Sequence, residues 1–378
     1  MHVAGICSSI VDKLKARTIE LSQGRAAGCI GLVNEQGYIN AHLDIIDGGV
    51  TSLPIRKLLG TAARITGLSL LEAITRLPPN AVFISTQPGH TGLITDIGVV
   101  DMLHIPMINI GVKNNKVCGV GISYPEKAFF DLATEAELIE LETLRARSID
   151  EEKAIIRRSA QLNLKYLDVG HELAVIDNHA VSNGVFTNRK ADWHLPRTRI
   201  ASIDAEIAHE LVAESLKAEQ GVEVATIGEV DSTGHVSGKG KIVIGGMGVV
   251  PPRLLTASVC SVDGKSLYEI WLNEMPPHAV IIHTHPGGTG VMHAGDASAG
   301  PCSWGRPIIA IGHDKDGKIR GATVIELNDV LIELGDKSED LDTAFFTAKT
   351  PKQEADIRNL MFGVSQQYTN LCKQIEIR

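Results

Sequence analysis

The sequence predicts an α/β protein in two domains with a helical tail, and three observations carry that expectation. Short apolar runs alternate with helical stretches through the first half, as in layered α/β structures. The 378 residues correspond to roughly two and a half domains of about 150 residues. A polar stretch at 188–199, containing Pro196, has the composition of a boundary. The expected division is an α/β domain of unknown type at 1–195, an α+β domain at 200–335 and a helical tail at 336–378.

In the first half, strands are expected over 3–7, 27–33, 81–85, 107–112 and 117–123, with helices over 10–22 and 55–76. Glycine-rich turns such as Asp47-Gly48-Gly49 and Gln87-Pro88-Gly89-His90-Thr91-Gly92 punctuate them. A charged stretch over 134–162 holds two capping boxes, Thr134 with Glu137 and Ser148 with Glu151, which predict two consecutive helices. Apolar alternation over 166–186 suits strands. The second half opens with a helix over 205–220, with Asp204 as N-cap and Gly221 as C-cap. Strands are expected over 222–230, 240–245 and 256–262, then a helix over 265–274 and a buried strand over 279–282. Strands over 307–312 and 318–326 flank the turn Asp314-Lys315-Asp316-Gly317. The tail reads as helical beyond Pro351, and no internal repeat is read.

Composition narrows the function. Apolar residues make up 44% and charged residues 21%, with mean hydropathy +0.07, so the chain can bury a core. The net charge of -9 and the lack of a Lys/Arg run argue against nucleic acid and anionic membranes. Aromatic content of 4% gives little for base stacking. No apolar run is long enough to span a membrane, and Met1 to Ile10 lacks the basic region of a signal peptide. Six scattered cysteines without a C-x-x-C pair read as reduced thiols, so a cytoplasmic location is expected.

The chemistry concentrates in Ile282-His283-Thr284-His285-Pro286-Gly287-Gly288-Thr289-Gly290-Val291-Met292-His293-Ala294-Gly295-Asp296. Residues i and i+2 of a strand share a face, so His283 and His285 would present two imidazoles together. Asp296 follows across a glycine-rich loop able to fold back. Two neutral imidazoles and a carboxylate, with one position open, form a recurrent catalytic Zn2+ set. Chance alone supplies roughly half an H-x-H in such a chain, so the carboxylate and the preceding apolar run carry the specificity.

His283-x-His285, ten residues beginning with Pro286, and then Asp296 resembles the JAMM (MPN+, JAB-type) zinc metalloprotease motif. The resemblance covers about 200–335 and implies an α+β domain with a mixed central sheet flanked by helices. It implies that His283, His285 and Asp296 hold Zn2+. Glu223 stands where the family has its catalytic glutamate, after the domain's first helix, and would be the general base. Glu229, on the same strand face, is the alternative base. His293 replaces the serine that the family usually places three residues before the aspartate, so it becomes the candidate oxyanion donor.

The function so implied is an enzyme, a zinc-dependent hydrolase cleaving an amide or isopeptide bond. Its partners would be a peptide, protein or small-molecule amide substrate, with no nucleic acid and no membrane; a homo-oligomer is left open. His283-Thr284-His285 is also similar to the H-T-H of class II aldolases, but that reading needs a distant further ligand, and only His313 stands beyond the motif. A non-catalytic MPN-type scaffold with a vestigial site is the third reading. Elsewhere, Gln87 to Gly92 reads as a surface turn before an anion cradle, and Cys7 as a core thiol before a nucleophile. His171-Glu172 and Asp177-Asn178-His179 read as ordinary strand and turn residues.

Overall fold

A computed structural model describes residues 1–50, 53–63, 67–93, 97–177, 194–218 and 221–378. The first half runs β1 (Gly5–Cys7), α1 (Ser8–Leu21), β2 (Ala27–Val33), β3 (Tyr38–His42), β4 (Ile46–Asp47), α2 (Ile55–Ala63) and α3 (Leu70–Thr75). It continues through β5 (Ala81–Pro88), α4 (Ile97–Leu103), β6 (Met107–Lys113), β7 (Lys116–Ser123), α5 (Lys127–Arg145), α6 (Ile149–Val169), β8 (His171–Glu172) and β9 (Val175–Ile176).

The second half repeats this order of strands and α-helices, with one added π-helical turn at Ser298–Cys302. It runs β10 (Ser202–Ile203), α7 (Ala205–Lys217), β11 (Val222–Val230), β12 (His235–Lys239), β13 (Val243–Met247), α8 (Pro252–Thr256) and α9 (Leu267–Asn273). Then come β14 (Ala279–Pro286), α10 (Ala294–Ala297), β15 (Ile308–His313), β16 (Ile319–Ile325), α11 (Asp329–Phe345), α12 (Pro351–Leu371), β17 (Lys373–Gln374) and β18 (Glu376–Ile377). The sheets match as well: β8-β7-β6-β5-β2-β3-β1-β9 in one, β17-β16-β15-β14-β11-β12-β10-β18 in the other, with β4 on β2 and β13 on β11.

This overturns the expectation of no internal repeat. The signal is in the sequence. Gly67, Ser69, Leu70, Glu72, Pro78, Pro79, Ala81, Val82, Thr86, Pro88, Gly89, Thr91 and Gly92 recur as Gly264, Ser266, Leu267, Glu269, Pro276, Pro277, Ala279, Val280, Thr284, Pro286, Gly287, Thr289 and Gly290. Register confirms the match. Gly28 pairs with Ser85 as Ala225 pairs with His283. Ala27 N donates to Thr86 Oγ1 at 2.8 Å, and Val224 N to Thr284 Oγ1 at 3.0 Å.

Each sheet is buried on both faces, which explains its near-continuous apolar strands. On one face of the first sheet lies α1, with Ile10 and Leu14 against Cys29, Ile84 and Ile108. On the other lie α2 to α6, with Leu58, Val100, Phe129 and Tyr166 around Phe83. In the second half α7 lays Ile207 and Leu211 on Val224, Ile282 and Ile309, while Trp271, Leu331 and Tyr368 cover Ile281 and Ala310.

The halves meet through a pseudo-twofold interface of the isologous kind. Glu137 on α5 accepts hydrogen bonds from the amides of Arg253 (2.9 Å) and Leu254 (3.2 Å) in the first turn of α8. Reciprocally, Glu339 on α11 accepts from Arg56 (3.0 Å) and Lys57 (2.8 Å) in the first turn of α2. A carboxylate there satisfies orphan donors and complements the helix dipole. The fully buried Arg253 guanidinium reaches Asp101 at 2.7 Å, Thr134 Oγ1 at 3.0 Å and the Val262 carbonyl at 2.9 Å.

Several expected elements are corrected. The helix expected over 55–76 is two, because the Ser69–Glu72 capping box opens α3 afresh. The helix α5 passes through Thr134 without a break; Thr134 and Glu137 serve the contact with Arg253 instead of a cap. Ser148 does cap α6, accepting from Glu151 N. The strand expected over 256–262 is absent, and α8 ends there. The boundary expected at 335 falls inside α11, and the expected tail is part of the second half. Val364 and Tyr368 enter its core, and β17 and β18 pair with β16 and β10. Half of the expected linker, 188–193, and residues 178–186 of the expected strand region, including Asn178 and His179, lie outside the described residues; within 166–177, α6 occupies 166–169 and the short β8 and β9 follow.

Candidate metal centre

The strand β14 lies between antiparallel β11 and parallel β15. Thr284 points away from the site and is anchored to Val224, which leaves His283 and His285 together on the opposite face. The loop after β14 crosses the neighbouring strands so closely that only glycine fits. Gly290 has φ 80°, and a Cβ on Gly312 would lie 2.3 Å from the Thr289 carbonyl carbon. This crossing brings α10, and with it Asp296, back to the two histidines.

The three side chains converge. His283 Nε2 lies 2.9 Å from His285 Nε2 and 3.0 Å from Asp296 Oδ1, and His285 Nε2 lies 3.4 Å from the same oxygen. His283 and Asp296 are buried, and His285 is half-buried. His283, His285 and Asp296 are a group that could hold a metal ion. Ligand bonds of about 2.0–2.2 Å in a tetrahedron put ligand atoms about 3.3–3.6 Å apart, which these separations approach. His283 Nδ1 lies 2.9 Å from the Ile309 carbonyl, so in the neutral ring that nitrogen carries the proton. Its Nε2 lone pair then faces a carboxylate oxygen and a second imidazole, an arrangement that a cation reconciles.

Asp296 divides its two oxygens. Oδ2 accepts from His293 N at 2.9 Å, closing the α10 cap, while Oδ1 faces the imidazoles. Burial raises the carboxyl, but the imidazoles of His283 and His285, as donors when protonated, together with the His293 amide, outweigh it and hold the group well below the usual range. Burial lowers His285, but its bond to Asp296 together with the charges of Asp296 and Glu223 outweighs this, so its net shift is upward.

Glu223 is half-buried on β11. The register places Ala225 opposite His283, so Glu223, two residues on, faces the His285 end. Burial raises its carboxyl, partly opposed by His283 and His285. Glu229 pairs with Ala279, about 20 Å along the strand from Glu223, and is exposed; it is not a base for this site. His293 is exposed at the rim, with Nδ1 3.4 Å from Asp296 Oδ2 and its ring stacked on His285 at 6.3 Å. His313 is committed elsewhere, to Ser215 Oγ at 3.0 Å and the Asp314 carbonyl at 2.9 Å.

The equivalent place in the first half keeps the scaffold and, among the described residues, has neither histidine nor the glutamate. Gly92 has φ 83°, and a Cβ on Gly111 would lie 2.3 Å from the Thr91 carbonyl carbon, as in the second half. By register, Ser85 stands for His283, Gln87 for His285 and Ala26 for Glu223. The turn at Gln87 to Gly92 is therefore the first half's copy of the motif loop.

Comparison with family models, curated proteins and solved structures returned no match.

Proposed function

We propose that the second half is a zinc-dependent hydrolase resembling the JAMM isopeptidases, acting on an amide or isopeptide bond. The convergence of His283 Nε2, His285 Nε2 and Asp296 Oδ1 beside Glu223 carries the reading. The donor set suits Zn2+: two imidazole nitrogens, one carboxylate oxygen, and room for a fourth ligand. A zinc ion, when bound, supplies Lewis acidity and an acidified water.

The chain's own residues supply the rest. Ile309 fixes the His283 ring so that Nε2 stays a ligand atom. His293 N holds the second oxygen of Asp296, so that Oδ1 keeps its direction. Glu223, made more basic by burial, would accept a proton from the attacking water and return it to the leaving amine. The exposed His293 ring at the rim would donate to the developing oxyanion.

The first half is read as the non-catalytic copy, because Ala26, Ser85 and Gln87 occupy the positions of Glu223, His283 and His285. The aldolase reading finds no support, since His313 is bonded to Ser215.

The test is metal analysis with activity on amide substrates. One zinc per chain that His283→Ala removes, and hydrolysis that Glu223→Gln abolishes without metal loss, would support the reading. A metal-free protein at neutral pH would sink it.

A further inference from the structure

We propose that the junction between the two halves contains a binding site for a small oxyanion, centred on the guanidinium of Arg306. The proposal is independent of the metal chemistry.

Arg306 is 3% exposed, and its Nε and Nη1 have no hydrogen-bond partner. A guanidinium has five donors and is always charged, so burying it unpaired is costly. Burial pushes it down to about 10, against the pull of Glu72, the one acidic group among the described residues that acts on it.

Glu72 is fully buried and already heavily used. Its Oε2 accepts from Ser69 N at 2.9 Å and Ser69 Oγ at 2.8 Å, and its Oε1 accepts from Leu195 N at 3.1 Å. His194 Nδ1 and Arg197 Nη2 stand 3.5 and 3.8 Å from the same Oε1. Buried Arg76 lies against the other side of the His194 ring, with Nη2 3.3 Å from Nε2. The chain leading into Arg306 is pressed into this cluster: a Cβ on Gly305 would lie 3.1 Å from Ser69 Oγ and 2.2 Å from Leu195 Cδ1. Two arginines, Arg197 and Arg306, and one histidine thus bear on one carboxylate, with Arg76 behind the histidine. His194 and Arg197 are exposed and Arg76 and Arg306 buried, so the cations grade from solvent into the junction.

The pseudo-twofold supplies the control. Across it, His104 takes the place of Gly305 and Ile105 that of Arg306, as the pairings of Phe83 with Met107 and Ile281 with Ile308 fix. That junction is self-contained. His104 Nδ1 reaches Ser266 Oγ at 2.9 Å, lies 3.5 Å from Glu269, and its ring stacks between Phe130 and Tyr268. The fold therefore closes this contact with an aliphatic residue, and Arg306 is an addition that packing does not demand. A planar fork of N–H donors matches the oxygens of a phosphate or carboxylate.

The experiment is thermal unfolding of the full chain titrated with inorganic phosphate, and separately with acetate, against chloride at matched ionic strength. Wild type should show a saturable rise in Tm with at least one of the two, and the stronger names the anion class. Arg306→Met should show no such rise and, relieved of a buried charge, should be more stable than wild type without anion. A His283→Ala background should retain the response, which separates this site from anion binding at a metal. If Arg306→Met does not fold, Arg306→Lys should weaken the apparent affinity about tenfold or more. No response in wild type, or an equal response in the Arg306 variant, would overturn the site.

Discussion

Ser85 stands in the first sheet where His283 stands in the second: each faces the strand before it through an equivalent pair, Gly28 with Ser85 and Ala225 with His283. One position in one topology thus carries a hydroxyl in one half and an imidazole in the other. The difference assigns chemistry to a single half.

Metal stoichiometry follows directly. Elemental analysis should give about one zinc per chain, since among the described residues the ligand set lies in the second half. His283→Ala and Asp296→Ala should each bring it near zero, whereas Ser85→Ala should leave it unchanged. Two ions per chain would contradict the assignment.

Glu223→Gln should keep the metal and lower kcat by about 10²-fold or more, the scale of a lost general base. Glu229→Gln should match wild type, because the residue is exposed and far along the strand. Steady-state kinetics on the two variants, with metal content measured in parallel, decides the point.

Removing the buried Arg253 guanidinium should destabilise the chain strongly. Arg253→Ala leaves Asp101 buried without its ion pair, and such a loss costs about 3–5 kcal/mol. The denaturation midpoint should fall accordingly. Arg320→Ala, which removes an exposed partner of Asp314, should leave the midpoint nearly unchanged.

Glu137 gives stability a pH dependence. Burial raises its carboxyl from 4.5 to about 7, against the pull of the Arg253 and Leu254 amides. The folded chain therefore binds this proton more tightly than the unfolded chain. Its contribution is fully present below pH 4.5 and is lost as pH rises towards about 7. Glu137→Gln should flatten the slope of stability against pH across that window. An identical slope in the two proteins would count against it.

Much of this structure was legible in the sequence. The strands β2 and β11 were read to the residue, because a strand buried on both faces is a bare apolar run. The convergence of His283, His285 and Asp296 followed from strand parity and a glycine-rich return loop. The duplication was missed for a physical reason. Recurrence is confined to structural positions, caps, prolines and turn glycines, whereas the chemically conspicuous residues of the motif differ between the halves. Thr134 and Glu137 misled because a capping box and a pair serving a neighbouring helix have the same spacing. Tertiary partners such as Asp101 for Arg253 have no local signature at all.

Joining the two halves in one chain also removes a dependence on concentration. The cap that Glu137 gives α8, and Glu339 gives α2, is intramolecular. Two separate chains would have to find each other and would part on dilution, whereas tethered halves face one another at an effective concentration in the millimolar range. The pairing of a ligand-bearing half with a ligand-free one is therefore fixed at one to one, whatever the abundance of the protein.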